Sequence, residues 1–153
     1  MKKIFTLLIA AVLSVCVYAQ SADKVSEIIS TKEATYGQSA YLTASALGIV
    51  KNNATYEDAL EILKDKGVVS SSVKASDVIN LRELSWLCAY TWKIEGSLML
   101  KLFNTPRYTF RQMKADEVIA DSADPMDVPS GRNLLAVITD CIGKYEVNAG
   151  ENK

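Results

Sequence analysis

The stretch "VINLRELSWLC", residues 78–88, decides how the chain is read. Asn80 stands just ahead of a helical run, and Glu83 sits three residues on, where a capping box needs it. Leu84, Leu87, Cys88 and Thr91 then follow at the i, i+3, i+4, i+7 spacing of one buried helix stripe. A lone capped helix would account for all of this. So would one copy of a repeated unit, and the two readings lead to different architectures.

Sliding the chain against itself favours the repeat. At an offset of fifty, residues 60–91 align with 110–141 without a gap. Lys64 meets Lys114, Val68 meets Val118, Asp77 meets Asp127, Arg82 meets Arg132 and Leu84 meets Leu134. Conservative matches fall between them, such as Leu60 with Phe110 and Leu63 with Met113. Each copy reads as helix, connection, helix. In the first, Thr55 and Asp58 cap a helix that Gly67 ends, the connection is "VVSSSVKASDVI", and Asn80 caps the second helix. In the second, Ser130 is the cap behind Pro129, and Leu134, Val137, Ile138 and Cys141 form the stripe. A shorter match, "SAYLTASALGIV" at residues 39–50, sets Leu42 against Leu87 and Ile49 against Ile94. One helix pair cannot bury its own apolar face. The expected fold is therefore mostly α, built of helical-hairpin repeats with a period of about fifty residues around a shared core. Residues 36–146 are expected to form that one domain. Residues 20–35 add an N-terminal segment with a helix through Val25, Ile28 and Ile29, and residues 147–153 form a solvated tail.

Here the chain resembles a known family. "DALEILKDKGVV" reads like a helix followed by a Gly-Val turn, and "INLRELSWL" stands where that family has its Thr-Arg-Ala-Glu helix start. These features, with helix pairs at this period, look like S-layer homology domains over roughly residues 36–143. The resemblance implies a three-part helical bundle that holds exported proteins to cell-wall polysaccharide. The chain departs from the family where an Arg follows the cap, having Leu81 and Gly131 there. The likeness therefore speaks for the fold more than for a glycan site.

The first nineteen residues carry Lys2 and Lys3, an apolar run from Ile4 to Val15 and the small-residue pattern Val17-Tyr18-Ala19, the form of a secretory signal. The run is too short to cross a bilayer, which takes roughly 17–25 residues. The protein is expected to be exported, to the periplasm or the cell envelope. Leu13-Ser14-Val15-Cys16 offers a second route, a lipoprotein box with Cys16 acylated. The full chain has 17 basic and 18 acidic residues, and loss of Lys2 and Lys3 leaves a balance of about −3. That charge does not suggest a nucleic-acid binder, which must neutralise phosphates. Cys88 and Cys141 remain, both on apolar stripes of equivalent helices, as a disulfide or as two buried thiols.

The chain has no histidine, so the easiest general base near neutral pH and the commonest zinc ligand are missing. No glycine-rich phosphate loop or Gly-x-Ser-x-Gly turn is present. A carboxylate-based hydrolase using Asp116, Glu117, Asp121, Asp124 or Asp127 is the enzymatic alternative, with solvated connection charge as the plain reading of those acids. No cofactor or metal is expected.

Two contrasts between the copies point to surfaces instead. Glu57, Glu61 and Lys64 in copy one correspond to Arg107, Arg111 and Lys114 in copy two, so the helix face changes sign. A basic row at i, i+4, i+7 suits an acidic protein face, a second copy of the chain, or an acidic cell-wall glycan. A solvated helix surface is the plain reading. Trp86 and Tyr90 correspond to Ala136 and Asp140, and the apolar "SLMLKLF" at residues 97–103 is expected to fold over Trp86 and close the core. Otherwise the two aromatics form an exposed anchor patch for a partner. The expected role is thus a non-enzymatic envelope component acting through protein contacts, with a glycan-binding module as the alternative.

Overall fold

A computed structural model describes residues 22–51 and 53–146. The leader, the Cys16 lipidation site and the 147–153 tail lie outside them. Among the described residues the fold is mostly helical, with no strand and one isolated antiparallel bridge between Thr35 and Val78. The helices are α1 (22–30), α2 (Tyr36–Ala46), α3 (Tyr56–Asp65), α4 (Leu81–Trp92), α5 (Leu98–Phe103), α6 (Pro106–Ala115) and α7 (Gly131–Cys141). A π-helical turn, Ile142–Glu146, continues α7.

Local chemistry sets most of the boundaries. Thr35, Thr55 and Asn80 each close a full capping box, with Gln38, Asp58 and Glu83 returning the bond. Ser130 caps α7 through the N–H of Asn133 at 3.2 Å. Pro106 opens α6, where its missing N–H costs nothing. Gly67 ends α3 with φ +71°, and at the equivalent end of α6 Glu117 takes φ +61° although it carries a side chain.

The core is built from α2, α4 and α7, which touch one another. α2 is buried from Gly37 to Ala44. Leu84, Leu87 and Cys88 of α4 and Leu134, Val137, Ile138 and Cys141 of α7 are buried as their spacing predicts, while Thr91 is half-buried. α1 adds Ile28, which is fully buried. The outer helices pair differently from the expected hairpins. α3 packs on α2, and α6 packs on α4, rather than α3 on α4 and α6 on α7. The cause lies in the connections. α2 and α3 are joined by nine residues, a length that favours antiparallel neighbours, whereas fifteen-residue connections separate α3 from α4 and α6 from α7. Val68 and Ile79, and Val118 and Ile119, pin those long connections to the core.

The three central helices start at a common junction. Their N-termini are buried, so their first N–H groups need acceptors that the helices cannot supply. Backbone carbonyls supply them. Tyr36 and Gly37 donate to Asp77 and Ala75, Leu81 and Arg82 donate to Asp127 and Pro125, and Gly131 donates to Thr31, at 2.9–3.0 Å. The residues before the caps join in, with Ile79 donating to Ala34 and Ala34 to Pro129. The acceptor turns are themselves braced, since Asp77 Oδ2 accepts from Lys74 N and Asp127 Oδ2 from Asp124 N. At α7 the approach is close enough that a Cβ on Gly131 would sit 1.6 Å from the Ile28 carbonyl oxygen.

Two substitutions test this account. Gly131→Ala forces α1 off α7 and should lower the unfolding free energy by about 3 kcal/mol in a denaturant titration. Glu117→Gly removes a left-handed non-glycine residue from an exposed helix end and should raise it by about 1 kcal/mol. Equal stability of Gly131→Ala and the parent would show that the junction is not closed by this contact.

Candidate functional site

The insertion at 97–103 does not close the core. It forms the short helix α5, in which only Leu100 is buried, while Leu98, Met99, Leu102 and Phe103 are 50–69% exposed. The reason is geometric. Ser97 N–H donates to Gln112 Oε1 at 2.8 Å, and α5 packs on α6, leaving only its C-cap Asn104 at the edge of the Trp86 cleft. Phe103 stacks on Tyr108 with ring centroids 5.5 Å apart, and the Arg111 guanidinium lies 5.9 Å from the Tyr108 ring. An apolar patch therefore runs into the basic face of α6.

That face gathers one cation more than the α6 spacing predicts, and one acid, Asp121. Arg107, Arg111 and Lys114 line one cleft of about 640 Å³ with Phe110, and Arg82 joins them from the start of α4. Arg107 and Arg111 are exposed, whereas Lys114 and Arg82 are half-buried. Lys114 Nζ donates to the carbonyls of Asp121 and Ala123, which fixes it against the connection. Arg82 is held by its backbone N–H bond to Pro125. Sequence spacing could not have found Arg82, because α6 meets the α4 N-terminus only through the tertiary fold. In the equivalent α3 face, Glu57 and Glu61 are exposed and Lys64 is bound to Glu61 at 2.8 Å. The reversal of sign therefore persists in three dimensions.

Trp86 and Tyr90 lie elsewhere. They line a separate cleft of about 630 Å³ with Leu47, Ile49 and Ile94. Trp86 is half-buried and Tyr90 about half-exposed, its hydroxyl donating to the Lys66 carbonyl at 3.0 Å. The two groups of expected binding residues thus form two clefts rather than one site.

The acids in the second connection are largely occupied by the fold. Asp124 and Asp127 accept backbone N–H bonds within their own turn. Asp116 accepts from Gln112 Nε2 at 3.0 Å and from the Tyr145 hydroxyl at 2.7 Å. This network holds α5 and the C-terminal turn to the end of α6, and so positions the basic row. Among the described residues no cluster of three or more His, Cys, Asp or Glu side chains is placed to hold a metal ion. No helix among them is long and apolar enough to cross a membrane.

Cys88 and Cys141 are unbridged in this structure, both fully buried in the same core cluster. Burial, then the contact with Cys141, pushes the Cys88 thiol well above its usual range. Tyr145 beside them is raised above the ordinary phenol value, first by burial and then by its bond to Asp116. Tyr36 is raised by burial and by the nearby Glu83 carboxylate. Tyr56 is pushed up to about 12 by burial and by Glu27.

Compared with family models, with curated proteins and with solved structures, the chain matches none.

The raised tyrosines set an alkaline limit. A phenol whose folded pKa lies above its unfolded value of about 10 contributes stability that is complete below pH 10 and disappears as pH rises through the folded value. Unfolding free energy should begin to fall above about pH 8.5, where thiols ionise in the unfolded chain while Cys88 stays protonated in the fold, and fall more steeply above about pH 10, where unfolded phenols follow. Tyr145→Phe should make that fall shallower in chemical denaturation series, and an unchanged slope would remove Tyr145 from the account.

Proposed function

We propose that the protein is an exported, non-enzymatic component of the bacterial cell envelope that works through protein–protein contacts. The basic cleft of Arg82, Arg107, Arg111 and Lys114 is the observation that carries this reading. Four cations converge where an anionic surface could dock, and two are arginines exposed enough to grip carboxylates by two bonds each. A complementary face is available on the same molecule. Glu57 and Glu61 project from α3 in the positions that Arg107 and Arg111 hold on α6. One copy presenting α6 to the α3 of the next makes a head-to-tail contact that propagates, a geometry suited to an assembly component. Export is supported by the basic, apolar and small-residue order of the first nineteen residues.

The scaffold for this role is a three-part bundle of duplicated units, similar to S-layer homology domains. The capped starts of the central helices at Thr35, Asn80 and Ser130, spaced 45 and 50 residues apart, support it. The matched turns at Lys74–Asp77 and Asp124–Asp127 add to that support. On this reading the units share a backbone and differ at the surface, which is where partner choice resides.

A second reading, a module that binds cell-wall glycan, is favoured by the Trp86–Tyr90 cleft. An aromatic-lined hollow of this size suits a sugar ring stacked on an indole face, with the neighbouring Lys93 and Glu95 as polar contacts.

Charge reversal separates the two. Arg107→Glu with Arg111→Glu should weaken self-association or capture of an acidic partner protein by about tenfold or more in sedimentation velocity at low salt. The parent's association should itself weaken as ionic strength rises past about 0.1 M. Undiminished association of the double variant would sink the acidic-partner reading. Retention of the same variant on purified envelope polysaccharide, lost on Trp86→Ala, would put the glycan reading in its place.

A further inference from the structure

The full chain contains three cysteines, at positions 16, 88 and 141. Two of them converge. Cys88 lies on the inward stripe of α4 and Cys141 is the last residue of α7. Both have no exposed surface, both belong to the same hydrophobic core, and α4 and α7 pack against each other. Cys141 is the neighbouring group that acts on the Cys88 thiol.

The repeat does not require cysteine at either position. Fifty residues from Cys88 the corresponding side chain is Ile138, and the counterpart of Cys141 is Thr91. Ile138 is buried as Cys88 is, whereas Thr91 is only half-buried where Cys141 is fully enclosed. The two departures nevertheless lie in one core, on two helices that pack together, although they are fifty-three positions apart along the chain. Independent choices of a small apolar residue give no reason for that pairing, whereas a covalent tie does.

We propose that Cys88 and Cys141 are joined by a disulfide in the exported protein, tying α4 to α7. The proposal rests on export, because a disulfide persists in an oxidising compartment and not in a reducing one. The chemistry is exchange with a protein disulfide donor. A thiolate of one cysteine attacks the donor disulfide, giving a mixed disulfide and releasing one donor thiolate. The second cysteine, as its thiolate, attacks the protein sulfur of that mixed disulfide and releases the other donor thiolate. The chain loses two protons and two electrons, and the donor disulfide becomes a dithiol. Because burial holds the Cys88 thiol protonated, exchange takes place before the core closes. The resulting loop encloses α5 and α6, and with them Arg107, Arg111 and Lys114. The bond therefore secures the segment that carries most of the basic cleft.

The test uses the full chain isolated from its native envelope with free thiols blocked at lysis. After unfolding, peptides containing Cys88 and Cys141 should take up alkylating reagent only once a reductant is added. Alkylation of both without reductant overturns the proposal. A parallel sample, purified reduced and refolded with glutathione disulfide, shows where such a failure lies. If the 88–141 link forms there, the geometry is right and the export reading is at fault. If only scrambled or intermolecular products form, the pairing is at fault. Reduction of the linked protein should lower Tm by about 10 °C. The Cys88→Ala, Cys141→Ala double variant should show no response to reductant, which separates loss of the tie from loss of core packing.

Discussion

Buried helix N-termini are the constraint on which the molecule turns. Bringing α2, α4 and α7 together at their starts hides N–H groups that no helix can satisfy internally. Leaving such donors unpaired would cost of order 1–3 kcal/mol each. Each long connection therefore ends in a turn that aims carbonyls at the neighbouring helix, Ala75 and Asp77 at α2, Pro125 and Asp127 at α4. For α7 the N-terminal segment supplies the acceptor, the Thr31 carbonyl. This explains why fifteen-residue connections without regular structure recur in a small fold. They are acceptor frames, and Asp77 and Asp127 brace them.

Once the frame is set, the outer helices are free to vary. α3 and α6 each bury a narrow stripe, Ala59, Leu60 and Leu63 in one and Thr109, Phe110 and Met113 in the other, and leave the rest to solvent. Charge on the outer face costs the core little, so one face is acidic and its counterpart basic. The polar network of Gln112, Asp116 and Tyr145 then makes α6 a firm platform. A cation row used for recognition gains from such preorganisation, because less side-chain and backbone freedom is lost on contact.

Local features were legible in the sequence because their causes lie within a few residues. The capping pairs Thr55–Asp58 and Asn80–Glu83, the left-handed Gly67 and the buried stripes of α4 and α7 all follow from spacing. Features made by distant contacts were not. Arg82 enters the basic cleft only because α6 lies against the start of α4. Leu98, Met99, Leu102 and Phe103 read as core because apolar runs usually are, yet the bond between Ser97 and Gln112 turns them outward. The pairing of α3 with α2 rather than with α4 likewise depends on link lengths and on the shared junction, which repeat matching cannot weigh. The convergence of Cys88 with Cys141 sits between these cases. Their helical phase is local, while their meeting needs the whole bundle.

The way α7 is received by the N-terminal segment bears on the order in which the molecule can be made. Ile28, Thr31 and Ala34 wait for Gly131 and Pro129, about a hundred residues later. The segment at residues 28–34 is thus completed only by one about a hundred residues further on, and no fragment that stops short of Pro129 contains both halves of the seam. Closing so long a loop is slow compared with local helix formation. A growing polypeptide of this kind holds separate helical pieces until the start of α7 arrives, then locks in one late step.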